Sequence, residues 1–138
     1  MVKRLDNGVF DMARYVMEGV AFLLDKNLEE MRGAGLEFSH IVCTGGAAKS
    51  DVWSQIKADI CGCEILIPED SETACRGAAI IGAVSDGFFS SYDEAIAHCV
   101  KIKKRFLPEN ACAYKVKKAG FNALYKAMLD TASIMSAS

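Results

Sequence analysis

The chain has 138 residues, 51% of them hydrophobic and 25% charged, with a formal net charge of −2. That length fits one domain with a real core, and the composition is that of an ordinary globular protein. Both signs of charge are spread along the sequence, which leaves no electrostatic footprint for nucleic acid or an anionic membrane.

No apolar run approaches the ~20 residues that span a bilayer. Lys3 and Arg4 are followed by Asp6, Asn7 and Gly8, not by the apolar segment of a signal peptide. A cytoplasmic location is therefore expected. The six cysteines, Cys43, Cys61, Cys63, Cys75, Cys99 and Cys112, then read as reduced, small core residues. A zinc site needs two spaced Cys/His pairs, but only Cys61 and Cys63 are close, and His40 and His98 are isolated. No metal site is expected.

The first long element runs from about Val9 to Arg32. Phe10, Ala13, Met17, Val20, Leu24 and Met31, widened by Ala21 and Leu28, make the apolar stripe of an amphipathic helix. Asp6 or Asn7 is placed to cap its start, and Gly33 and Gly35 to end it. Gly19 suggests close backbone packing, while Glu18 beside it reads as a surface or capping carboxylate. A short buried strand follows, from Phe38 to Cys43, and stops at Thr44-Gly45-Gly46. A second helix is expected from Ser50 to about Ile60, with Val52, Trp53, Ile56 and Ile60 on one side and Gly62 closing it.

Glu64-Ile-Leu-Ile-Pro68 reads as a second strand stopped by its proline. Glu69, Asp70, Ser71 and Glu72 form an acidic helix start, suited to the positive end of a helix dipole. The helix from Thr73 to Val84 is rich in alanine and glycine, which lets it lie tight against a sheet or a ligand. Ser91 and Glu94 form a capping box for a short helix reaching about Val100. Residues 101–108 look extended or irregular, and their lysines read as a solvated face. A last helix spans about Ala111 to Leu129, with Phe121, Leu124, Tyr125 and Met128 as its stripe, before a frayed tail. There is no internal repeat.

Two strands joined by a helical crossover should be parallel neighbours. Parallel sheets are usually larger and covered on both faces, so further strands are expected upstream of Met1. An open sheet edge also invites self-association, and a homo-oligomer formed through it is one expectation.

The stretch Ile41 to Ser50 carries the chemistry. Its loop has almost no side chain, so backbone N–H groups can approach a ligand closely, and the helix start beyond it favours negative charge. A P-loop would need glycine at position 48, directly before Lys49, and another at position 43. The chain has Ala48 and Cys43 there. No G-x-G-x-x-G dinucleotide fingerprint and no serine nucleophile elbow is present. Asp51, Asp59 and Glu72 read as helix caps and surface carboxylates, and Arg76 as a surface residue.

Asp11-Met-Ala-Arg14-Tyr-Val-Met-Glu18-Gly19, Thr44-Gly45-Gly46-Ala47-Ala48-Lys49-Ser50 with Trp53, Gln55 and Asp59, Glu72 to Ala79, and Phe106-Leu-Pro108 with Tyr114 to Tyr125 occur in a fixed order. In that order they resemble the C-terminal part of the FGGY carbohydrate kinases, particularly xylulokinase-like members. Tyr15 stands where the family commonly has alanine, and Ala47 where it often has a third glycine.

The resemblance implies an α/β fold, part of an actin-like ATPase (ribonuclease H-like) lobe, with few parallel strands, helices and an incomplete sheet. Residues 1–108 would form the α/β part with the nucleotide loop, and residues 109–138 the closing helix and tail. Gly45, Gly46, Ala47 and Ser50 would contact ATP, which the complete kinase takes with Mg. The sugar, a pentulose such as xylulose, would be bound mainly by another lobe. The family's catalytic aspartate lies upstream of this stretch, so no catalytic residue is expected here and the chain alone should be inactive. Two other readings are a noncatalytic or complementing subunit of actin-like fold, and an actin-like dehydratase activator. The second needs clustered cysteines for an iron–sulfur centre.

Overall fold

A computed structural model describes residues 8–70 and 72–136. In chain order the elements are α1 (Val9–Gly33), β1 (His40–Val42), α2 (Asp51–Cys61), β2 (Glu64–Pro68), α3 (Thr73–Ser85), α4 (Tyr92–Cys99), β3 (Ile102–Phe106) and α5 (Ala111–Ser136). The described residues form two compact units. One draws on Met1–Glu37, Ile56–Gly62 and Pro108–Ser138, the other on Phe38–Gln55 and Cys63–Leu107.

The first unit packs α1, the second half of α2 and α5. Its core is Ala21, Phe22, Ile56, Ile60 and Tyr114, with Met17 and Phe121 against it. Phe22 stacks on Phe121 with ring centroids 5.2 Å apart and meets Tyr114 edge-on at 6.2 Å. These are geometries the aromatic quadrupole favours. The buried line of α1 is Glu18, Ala21, Phe22, Asp25 and Leu28, so the expected stripe is rotated: Phe10 is 91% exposed, and Val20 and Met31 are also exposed. Two carboxylates hold places that an apolar count would give to hydrophobes, because lysines on α5 reach them. Asp25, 2% exposed, is bound by Lys118 at 2.5 Å.

The start of α1 is capped otherwise than the sequence suggests, while its end is closed by glycine as expected. Asp6 and Asn7 lie outside the described residues, and Gly8 is the N-cap of α1 without a side-chain bond. At the other end Gly35 takes φ +86°, and the Leu36 and Gly35 N–H groups close back on Met31 and Arg32, a Schellman motif. Asp59, read as a cap or surface carboxylate, is buried and works on a different helix from its own. Its Oδ1 accepts from the N–H groups of Glu109 at 2.7 Å and Asn110 at 2.9 Å, just before α5. Gly19 permits no close approach, since a Cβ there would meet nothing within 4 Å. Helix α5 continues to Ser136, through most of the stretch expected to fray. Leu124 and Met128 of its expected stripe are exposed.

The second unit carries a three-stranded sheet in the order β1-β2-β3. Strands β1 and β2 are parallel, with Ile41 opposite Ile65. The third strand lies in the stretch expected to be extended or irregular, and the extended alternative holds. It runs antiparallel to β2, with Phe106 opposite Ile65 and Arg105 opposite Leu66. Central β2 is buried from Ile65 to Pro68. The first strand is shorter than expected and is not buried. It has β2 on one side only among the described residues, and Val42 is 49% exposed.

Helices α3 and α4 pack together in this unit. Glu72 is the N-cap of α3 without a side-chain bond, and Ser71 lies outside the described residues. Four small residues of α3, Ala74, Ala78, Ala79 and Gly82, are exposed rather than packed against a described element, while Gly77 and Ala83 are half-buried. The capping box of α4 forms with a shift. Ser91 Oγ accepts the Glu94 N–H at 3.2 Å, but Glu94 Oε2 reaches back one residue further, to the Ser90 N–H at 2.8 Å. The cysteines divide, with Cys61 and Cys63 buried but Cys75 and Cys112 exposed, so these last two are not core residues.

Candidate functional site

The sheet ladder of β1 makes its last bond from the Cys43 N–H to the Leu66 carbonyl, 2.9 Å. The chain then leaves the sheet at Gly45, where φ is 77° and ψ −163°. That backbone region is essentially closed to residues with a side chain. One 3₁₀ turn follows over Gly46–Lys49, and Ser50 then caps α2. Its Oγ accepts the Trp53 N–H at 3.3 Å, and its carbonyl accepts the Ser54 N–H at 3.0 Å. The N–H groups of Gly46 and Ala47 donate to no backbone acceptor among the described residues. Gly46 is exposed, and a Cβ built on it would meet nothing within 4 Å. The loop therefore offers two backbone donors on a surface with almost no side chain.

A cleft of about 320 Å³ opens beside this loop. Of the four residues singled out in the sequence, Gly45 lines it, while Gly46, Ala47 and Ser50 do not. Its walls come from Thr44, Ala48 and Lys49 on the loop side, Ile67 to Asp70 at the end of β2, and Lys103 and Lys104 on β3. Lys104 Nζ is held by both Asp51 oxygens at 2.7 and 2.6 Å. Asp70 is paired with Arg76, which brings a residue read as free surface into the rim. Among the described residues no three His, Cys, Asp or Glu side chains group closely enough to hold a metal ion. Glu69 and Asp70 do not make a magnesium site by themselves, since Arg76 already occupies Asp70.

A second polar constellation lies in the helical unit. Glu18 is 3% exposed. Its Oε1 accepts from Arg14 Nε at 3.0 Å and from the Tyr114 hydroxyl at 3.2 Å, and its Oε2 accepts from Lys117 at 2.8 Å. Burial pushes the Glu18 carboxyl up, but the hydrogen bonds from Lys117 and Arg14, the charge of Lys117 and the Tyr114 hydroxyl outweigh it. The net effect holds the group below the usual carboxylate range. The reading of Glu18 as a surface carboxylate is thus corrected.

With this geometry in place, the comparisons with known proteins decide the family. A model described as the FGGY family of carbohydrate kinases, C-terminal domain, matches residues 4–85, more than half of the chain. The chain belongs to this family. It is 35% identical over 118 residues to a xylulose kinase of Staphylococcus epidermidis, covering 84% of this chain and 24% of that protein. To the xylulose kinase of Bacillus subtilis it is 33% identical over 104 residues, 75% of this chain and 21% of the relative. The chain therefore spans about a quarter of the length of the curated relatives it matches.

Solved structures show the fold. The xylulose kinase of Rhodospirillum rubrum superposes with a TM-score of 0.82 at 21% identity, covering 95% of this chain and 27% of that one. The glycerol kinase of Plasmodium falciparum, solved with ADP, superposes with 0.78 at 21% identity, covering 92% and 26%. This FGGY C-terminal domain thus has the actin-like ATPase fold. No described helix is long and apolar enough to cross a membrane.

Sequence reasoning missed the charged side of the cleft. Lys103 and Lys104 were assigned to a solvated run, because three successive basic residues mask the alternation of Ile102, Lys104 and Phe106. That alternation was the available signal.

Proposed function

We propose that this chain forms the nucleotide wall of an ATP-dependent sugar kinase, with Gly45, Gly46, Ala47 and Ser50 against the nucleotide. The supporting observation is the loop after β1, where Gly46 and Ala47 present backbone donors that meet no backbone acceptor among the described residues, at the carboxyl end of a parallel strand. Open α/β sheets bind ligands at that end of their strands. Anionic ligands are suited to such unpaired N–H groups. The fold neighbour solved with ADP is a kinase of the same fold.

In this reading residues 1–108 are the α/β part of a lobe and residues 109–138 its closing helix. Magnesium arrives with ATP as part of the substrate. The acceptor is the hydroxyl of a pentulose such as xylulose, in line with the xylulose kinases among the relatives. A cytoplasmic location goes with it, because ATP and cysteines kept out of disulfides share that compartment.

Titration of the full chain with MgATP tests the proposal. Gly46→Val places a branched side chain on the open face, where nothing in the fold opposes it. We expect it to weaken binding about tenfold or more, the loss of one or two backbone hydrogen bonds to a charged group, with thermal unfolding unchanged. Equal binding by the variant, or no saturable binding by the parent chain, refutes the reading.

A further inference from the structure

Pro68 lacks an N–H, so at the end of β2 the ladder loses a donor. Pairing passes from Ile67 opposite Lys104 to Pro68 opposite Ile102, which leaves Lys103 as an extra residue on β3, a β-bulge. The Glu69 N–H then resumes contact at the Lys101 carbonyl, 2.9 Å. In a regular strand successive side chains point to opposite faces. Here both Lys103 and Lys104 line the same cleft. The bulge has re-aimed a lysine.

The charges in that cleft are unequal in how they are used. Lys104 is engaged by Asp51, and Asp70 by Arg76. Lys49 and Lys103 join no ion pair among the described residues, and Glu69 is the carboxylate left facing them. Two ammonium groups against one carboxylate leave a positive excess. Gly45, without a side chain, keeps the space beside them open.

We propose that Lys103, together with Lys49, binds the phosphates of a polyphosphate anion in the cleft beside Gly45. That the anion is a nucleotide's rests on the function proposed above; the anion site itself rests on the bulge and the charges. Lysine suits this role as a mobile point charge for phosphate oxygens. The class of ligand is an inorganic or nucleoside polyphosphate.

The test titrates the full chain with three probes, sodium tripolyphosphate, MgATP and adenosine, at constant ionic strength, followed by amide NMR shifts. Lys103→Met is expected to weaken tripolyphosphate and MgATP about tenfold while leaving adenosine unchanged, the loss of one charge-assisted contact. Lys103→Arg should recover most of the affinity, and unfolding curves check that each variant is folded. Tripolyphosphate bound equally by Lys103→Met and the parent, or not bound saturably by the parent, overturns the anion site. If Gly46→Val weakens MgATP and adenosine while Lys103→Met changes nothing, the nucleotide reading stands and this inference falls. If tripolyphosphate depends on Lys103 while adenosine is not bound and Gly46→Val has no effect, the anion site stands and the nucleotide reading falls.

Discussion

Glu18 shows what a single residue can hide from sequence. Its buried neighbours on α1 are Ala21, Phe22, Asp25 and Leu28, a helical line that includes two acids. A count of apolar spacing passes over such positions. Its partners Tyr114 and Lys117 lie 96 and 99 residues away, so nothing local announces them. Burying a carboxylate costs free energy unless hydrogen bonds replace its water, and three donors do so here. Because its folded pKa is depressed, its contribution is present above the ordinary carboxylate value of 4.5 and is lost as pH falls through the lowered one. Urea unfolding followed from neutral to acid pH checks this. The parent should lose stability more steeply through that window than Glu18→Gln. At neutral pH we expect the variant to be less stable by about 1–2 kcal/mol, since Arg14 and Lys117 can return to water. Parallel pH profiles would refute the assignment.

At the scale of elements, legibility followed how self-contained each signal was. Strand β2 is a continuous apolar run closed by proline, and α4 carries its own cap, so both were readable from a few residues. Strand β3 was read only as extended or irregular, and its place in the sheet was missed, because Lys103, Lys104 and Arg105 make it read as a solvated face. Charge on an outer strand is a common way to blunt an edge. The start of α5 was legible at Ala111, but the carboxylate that caps it was not, since Asp59 lies 50 residues upstream of Glu109. That cap is testable. Asp59→Ala removes the acceptor of two N–H groups, and we expect a loss of about 1–2 kcal/mol in thermal or urea unfolding. Asp59→Asn keeps a carbonyl oxygen and should recover part of it. Amide exchange at Glu109 and Asn110 should speed up in the alanine variant, and unchanged exchange there would show that Asp59 does not cap α5.

At the scale of the whole molecule, the turn from Gly45 to Ser50 was legible as a strand–glycine–helix junction because strand, glycines and helix cap are contiguous. The opposing wall of the cleft, from β3, was not, because it arrives from more than 50 residues further along the chain. The expectation that β1 is buried failed for a related reason: burial of a strand needs neighbours on both sides, and among the described residues β1 has β2 alone. Phosphoryl transfer sets a similar demand. It requires an acceptor hydroxyl, a base and MgATP aligned to within a fraction of an ångström, and works mainly through that positioning. The cleft described here offers lysines and Glu69, and the loop beside it backbone donors, but the relatives that carry out the reaction are about four times as long. We therefore predict that this chain by itself binds MgATP without turning it over. The measurement is ADP release with a panel of pentuloses, hexoses and glycerol, each compared with a sugar-free control. The expected result is no sugar-dependent release. Release that requires both a sugar and this chain, and that is abolished by Gly46→Val, would mean that the second unit and its neighbour suffice for catalysis, and the proposed division of labour would be wrong.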